Sequence, residues 1–172
     1  MRDVLPLAER LSPDTATRLE RAARHRFESA EVLLARSRRL AALYFYGYSA
    51  EMWVCAAYYR AAGFGPHEPI DRDTRHRRMV QARQIRSRHG DFLMNSDPHP
   101  LVGWARFLEW QRSSAPLNAE RIRLLRETVN KAMVIYNHWR PELRYKVVEI
   151  TDAQLRVVRS AAVWLKDHQA EL

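Results

Sequence analysis

Wound at about 100° per residue, Arg72, Arg75, Arg83 and Arg86 fall within one stripe. Four guanidinium groups in a row repel one another unless anions face them. Phosphates are the natural counter-charges, because a planar guanidinium binds them through two parallel hydrogen bonds. Met79 alone interrupts the stripe, and Val80 and Ile85 lie on different sides, so the segment has no coherent apolar face. One reading is an edge that binds nucleic acid. The plainer one is a solvated helix face in an arginine-rich chain.

Glu51 is the only charge in the segment Leu40–Tyr59, LAALYFYGYSAEMWVCAAYY. A lone carboxylate among aromatics must be paired, protonated or beside water. A bond to a neighbouring tyrosine hydroxyl or arginine is the favoured account, and a polar pocket at a dimer or ligand cleft is the other. Trp139, Arg144 and Tyr145 form a third set. Trp139 offers a ring for a base or for Arg140, yet a tryptophan beside Pro141 more often anchors a turn. Arg144 is expected to pair with Glu142 or Glu149. Glu51, Arg144 and Tyr145 are thus the candidates for a polar pocket.

Other chemistry is poorly supported. Cys55 lies in the apolar segment, where burial raises a thiol pKa and makes it inert. Repeated Glu-x-x-His motifs for a di-metal bundle and zinc-type spacings are absent. Asp71-x-Asp73-x-x-His76 is surrounded by arginines, so no metal site is expected. No cofactor is implied. Gly63-Phe64-Gly65 runs straight into Pro66 and is not a phosphate-cradling loop.

Helices must position these residues. Ser12-Pro13 reads as a cap with proline at the first helical position. Leu19, Ala23, Phe27, Ala30 and Leu34 then share one face of a helix reaching about Ser37. The central helix spans roughly 39–62 and stops at Gly63-Phe64-Gly65-Pro66. A third helix covers about 71–89, and a short one covers 101–112 with Trp104, Phe107, Leu108 and Trp110. Asn118 caps a fifth, striped by Ile122, Leu125, Val129, Ala132, Met133 and Tyr136. Thr151 and Gln154 form a capping box opening the last, with Leu155, Val158, Ala162 and Leu165 inward. Only 146–150 could be a strand. The expected fold is an all-α, up-and-down bundle in a single domain over 1–172: four long helices, an arginine-rich helix and a short one.

At 172 residues the chain buries roughly two-thirds of its unfolded surface without staples. The central segment is long enough for a bilayer, but Glu51 near its middle would be costly in lipid, and the flanking amphipathic helices are made to cover it. No membrane association is expected. A single cysteine and an N-terminus without a long apolar run suit a cytoplasmic protein. The formal charge of +9 is almost all arginine; only Lys131, Lys146 and Lys166 are lysines.

The first two helices resemble the HEPN domain family. The likeness rests on Arg26-Phe27-Glu28-Ser29-Ala30-Glu31-Val32-Leu33-Leu34, a short polar turn, and Ala41-Ala42-Leu43-Tyr44-Phe45-Tyr46-Gly47-Tyr48-Ser49-Ala50-Glu51-Met52. Trp139-x-x-x-Leu143-Arg144-Tyr145 is similar to a signature of some branches, whereas the stretch 63–117 matches none. The resemblance implies a HEPN-like bundle working in a defence or toxin–antitoxin context. It also implies a separately encoded nucleotidyltransferase or antitoxin as partner. Ribonuclease members carry an arginine, a polar residue and a histidine after four to six positions. Arg83-Gln84 and His89 fit that spacing.

Three functions follow. The leading one is a non-catalytic module binding RNA or a nucleotide. The second is a metal-independent endoribonuclease using Arg83 and His89 across a dimer. The third is a protein–protein interaction module without a nucleic-acid role. A homodimer through the aromatic-rich helices is expected, because seven tyrosines and five tryptophans are many for one small core.

Overall fold

The structure is a computed structural model that describes residues 14–88 and 101–172, the side chains of 82–88 excepted. Helix α1 (Ala16–Ala35) starts at Thr15, whose extended backbone lets its hydroxyl accept the Arg18 amide at 3.1 Å. Thr15 is thus the observed cap; Ser12 and Pro13 lie outside the described residues. Ala16, Leu19, Ala23, Phe27 and Ala30 form the buried face, and Leu34 packs at its margin.

The turn after α1 closes with two reciprocal bonds. Ser37 donates its amide to Leu34 and Arg38 donates to Leu33, both at 2.9 Å. Ser37 takes φ +57°, which makes this a Schellman stop with a serine where glycine is usual. The chain then reverses into α2 (Arg39–Ala61), the central helix. Fourteen of its residues are buried, Glu51 among them, on all sides of the helix. Its low amphipathicity therefore means enclosure rather than instability. Gly63, at φ +90°, ends it as the sequence predicts.

The remaining elements are α3 (Arg72–Arg88), α4 (Leu101–Arg112), α5 (Ala119–Tyr136), a 3-10 turn over Pro141–Tyr145, and α6 (Asp152–His168). Helix α2 touches α1, α4, α5, α6 and the 3-10 turn, while α3 leans on α4. The fold is the expected all-α bundle. Among the described residues no strand forms; Asp14 and Ile70 make an isolated bridge. The segment 146–150 is non-helical and unpaired rather than a strand. No described helix is long and apolar enough to cross a membrane.

Local signals also hold at α5 and α6. The Asn118 side chain accepts from Arg121 at 2.8 Å, and Thr151 and Gln154 form the full capping box. Two stripes are narrower than expected. Ile122 and Met133 are exposed on α5, and so is Trp110 on α4. The other stripe residues of α5 and α6 are buried. Trp53, Trp139, Tyr46, Tyr58 and Tyr59 are all enclosed within one chain, so most of the aromatic surface is covered without a second copy.

Candidate functional site

The arginine-rich helix is set apart from the core. None of its described side chains is fully buried, and Met79 only packs at the core margin. Asp71 caps it: its carboxylate accepts from the Thr74 amide at 2.7 Å and hydroxyl at 2.8 Å. These bonds hold the Asp71 carboxyl below its ordinary pKa. Arg75 is committed to an ion pair with Asp14. Arg72 is exposed and makes no ion pair among the described residues. The side chains of Arg83 and Arg86 lie outside the described residues, so only the backbone of α3 places them along the predicted stripe. His89 lies outside the described residues, and with it the predicted Arg83/His89 pair.

Two of the polar-pocket candidates, Arg144 and Tyr145, meet on the 3-10 turn, while Glu51 is buried farther along α2 and is not brought against them. The Arg144 guanidinium lies 4.5 Å from the centroid of the Tyr145 ring. Its pKa is raised: burial works against the charged form, and Tyr145 and Tyr44 favour it. Among the described residues the expected pairing with Glu142 or Glu149 does not form. Tyr48 feels the charges of both Arg144 and Glu51. Burial first, then Tyr44 and the Glu51 charge, hold its hydroxyl above the ordinary range, and Arg144 opposes them.

Trp139 does not stack on Arg140 and offers no face to a ligand. It is fully buried, donates from Nε1 to the Tyr44 carbonyl at 3.1 Å and meets the Tyr48 ring edge-on. A Cβ at Gly47 would stand 2.2 Å from the indole ring. Gly47 is therefore the seat of Trp139. Arg140 instead covers Tyr136, 3.3 Å from its centroid.

This interlock brings two distant segments together and opens a groove of about 440 Å³ between them. Arg38, Arg39 and Tyr44 form one wall, and Leu143, Arg144 and Lys146 the other. Arg39 is neutralised by Asp152 at 2.9 Å. Arg38, Arg144 and Lys146 make no ion pair among the described residues, and no carboxylate lines the groove. Arg38 also stands at the N-cap of α2 without a side-chain cap, and the first turn holds no acid. Unsatisfied amides and the positive end of the helix therefore add to the field of the cations.

A second hollow of about 530 Å³ continues past Arg39 and Leu40 along 148–152. The hollow beside α5 is different, since Glu120, Glu127 and Glu171 face Arg121, Arg123 and His168 there. Only the first groove is single-signed among these three.

Arg38, Tyr44 and Lys146 were not singled out in the sequence. A usable signal existed: Ser37-Arg38-Arg39 follows one HEPN-like block, and Lys146 directly follows the other. Burial pushes the Cys55 thiol up, in keeping with an inert core cysteine. Among the described residues no group of three His, Cys, Asp or Glu side chains is set to hold a metal. Compared with family models, curated proteins and solved structures, the chain matches none.

Proposed function

We propose that this chain is a non-catalytic, HEPN-like helical module that binds RNA or a nucleotide. The observation that carries this reading is the groove: three cations without an ion pair among the described residues, no carboxylate in its lining, and Tyr44 beside them. Of its lining residues, Ala41, Tyr44, Leu143 and Arg144 fall within the motifs that carry the family resemblance, and Arg38, Arg39 and Lys146 flank them. The resemblance extends the proposal to a homodimer and to a separately encoded nucleotidyltransferase or antitoxin partner.

The reading makes a salt-dependence prediction. Neutralising three phosphates gives a slope of log affinity on log salt of about −2 to −3. Fluorescence anisotropy with labelled RNA across a salt series measures it. Arg38→Glu with Lys146→Glu is expected to weaken binding at least tenfold, each site losing an attraction and gaining a repulsion. Changing Arg72, Arg75, Arg83 and Arg86 together tests the second basic surface. Salt-insensitive binding, or an unchanged groove variant, would sink the proposal. RNA cleavage abolished by His89→Ala would overturn its non-catalytic part.

A further inference from the structure

We infer that residues 146–150 form a docking edge for an extended strand of another polypeptide, joined to it by backbone hydrogen bonds. The inference goes beyond RNA binding and does not depend on it. Lys146-Val147-Val148-Glu149-Ile150 has the composition of a strand. It runs without turn or bend, and both its ends are extended: Lys146 at φ −112°, ψ 146° and Thr151 at φ −72°, ψ 154°. The 3-10 turn holds one end, where the Lys146 amide donates to the Leu143 carbonyl at 3.1 Å. The Thr151–Gln154 capping box holds the other. Between them, the amides and carbonyls of residues 147–150 make no hydrogen bond among the described residues. A row of open backbone groups on a fixed, extended segment is a template for strand addition. Little ordering remains to be done on binding, so the ladder forms at low entropic cost.

The side chains alternate as a strand requires. Val147 and Glu149 share one side and are exposed, Val147 fully so. On the other side Ile150 packs against the core and Val148 is half covered. A fully exposed valine contributes nothing to this fold, whereas a cross-strand neighbour would cover it.

The order of charges selects the occupant. Antiparallel pairs are the commoner kind, and directly opposed residues in them share a face. A twofold pair of this segment with itself therefore opposes residues an even number of positions apart. Centred on Val148, it sets Val147 against Glu149 and Lys146 against Ile150. Centred on Val147, it sets Lys146 against Val148, and centred on Glu149 it opposes two carboxylates. Every such register is mismatched. A different strand matches when it sets an acid against Lys146, a base against Glu149 and aliphatic residues against Val147, Val148 and Ile150. Read antiparallel, that partner is Val-Lys-Val-Val-Glu.

The test titrates the full chain against a labelled peptide, Thr-Val-Lys-Val-Val-Glu-Thr, by fluorescence anisotropy, and follows amide hydrogen exchange with and without it. The amides of 147–150 are expected to exchange unprotected in the free chain and to slow at least about tenfold under saturating peptide. The amides of Val147 and Val148 point to opposite edges of the strand. One of Val147→Pro and Val148→Pro is therefore expected to weaken the peptide at least about tenfold, and the other to weaken it less. Proline suits an extended chain whose amides bond to nothing, so an unchanged thermal melt confirms that both variants fold. Exchanging lysine and glutamate within the peptide opposes like charges and is expected to weaken it roughly tenfold.

Protection of 147–150 in the free chain at every concentration would mean that the edge is already closed. Protection that grows with protein concentration would assign it to a second copy. Either result overturns the inference, as does a peptide that fails to bind, or one that neither proline variant weakens. Binding indifferent to the exchange of lysine and glutamate would overturn the charge pattern assigned to the partner. None of these outcomes bears on RNA binding, which its own salt slope decides.

Discussion

Tyr46 and Tyr59 lie on the same helix and are equally enclosed, yet their neighbours treat them differently. The Tyr46 hydroxyl donates to Glu31 at 2.6 Å, and Arg159 of α6 grips the same carboxylate at 2.9 and 3.0 Å. Three helices are thereby fixed in register. At the other end, the Tyr58 and Tyr59 hydroxyls are buried with no hydrogen-bond partner among the described residues. What holds them is ring packing: Tyr58 stacks on Phe107 at 4.3 Å and Tyr59 meets Phe64 at 5.2 Å. Burial, with a smaller contribution from Cys55, pushes the Tyr58 hydroxyl up to about 12, against the nearby Arg78 charge. One end of α2 is directional and polar, and the groove forms there. The other packs its tyrosines by ring contact and tolerates orphaned donors inside, while its polar link sits at the margin, where Arg60 pairs with Glu20 and donates to the Gln169 carbonyl at 2.8 Å.

The most damaging way to break the polar end is through Trp139 and Gly47. Trp139→Ala removes a fully buried indole and is expected to cost about 3–5 kcal/mol. Gly47→Ala forces a methyl group into the ring and is expected to cost about 3 kcal/mol. The two changes share one space, so the double variant should cost clearly less than their sum in a denaturant-melt cycle. Strict additivity would show that the two residues do not interlock.

Removing one oxygen at each end compares them directly. Tyr46→Phe loses a bond to a charged acceptor and is expected to destabilise by about 1.5 kcal/mol. Tyr59→Phe removes an unsatisfied donor and should be neutral or mildly stabilising. Acid gives a second readout. The Arg159 guanidinium, opposed by burial and aided by Tyr46, holds the Glu31 carboxyl below its ordinary 4.5. A lowered pKa stabilises the fold above 4.5, and that contribution is lost as pH falls below it. Glu31→Gln should flatten this acid limb and leave the ring-packed end untouched. Tyr59→Phe costing as much as Tyr46→Phe would erase the contrast between the two ends.

How much of this is written locally decides how much of it could be read. Asn118, the Thr151–Gln154 box and the Gly63 stop depend on neighbours three or four residues away, and each is legible in the sequence. The enclosed central helix is legible too, because no face of Leu40–Tyr59 suits water. The groove is not, since Arg38 and Lys146 lie in different segments joined only when Trp139 seats on Gly47. Arg144 was assigned a carboxylate by proximity in sequence, but the 3-10 turn sets it against Tyr44 and Tyr145. Ile122, Met133 and Trp110 obey helical spacing and still face outward, because a stripe does not reveal how wide its neighbour is.

The smallest expected effect compares the turns that bound α2. Both need a left-handed residue: Ser37 at φ +57° before the polar end, Gly63 at φ +90° after the ring-packed one. A Cβ at Gly63 would touch nothing within 4 Å, so Gly63→Ala carries a purely conformational cost of about 1–2 kcal/mol. Ser37→Gly removes the corresponding strain, offset in part by the greater freedom of glycine when unfolded, and is expected to gain a few tenths to about 1 kcal/mol. Its amide bonds to Leu34, and those of Arg38 to Leu33, are backbone and survive the change. RNA affinity in Ser37→Gly should therefore be unaltered while the melting temperature rises slightly. A rise in stability accompanied by loss of binding would show that the serine itself, rather than the turn it closes, sets the direction of Arg38.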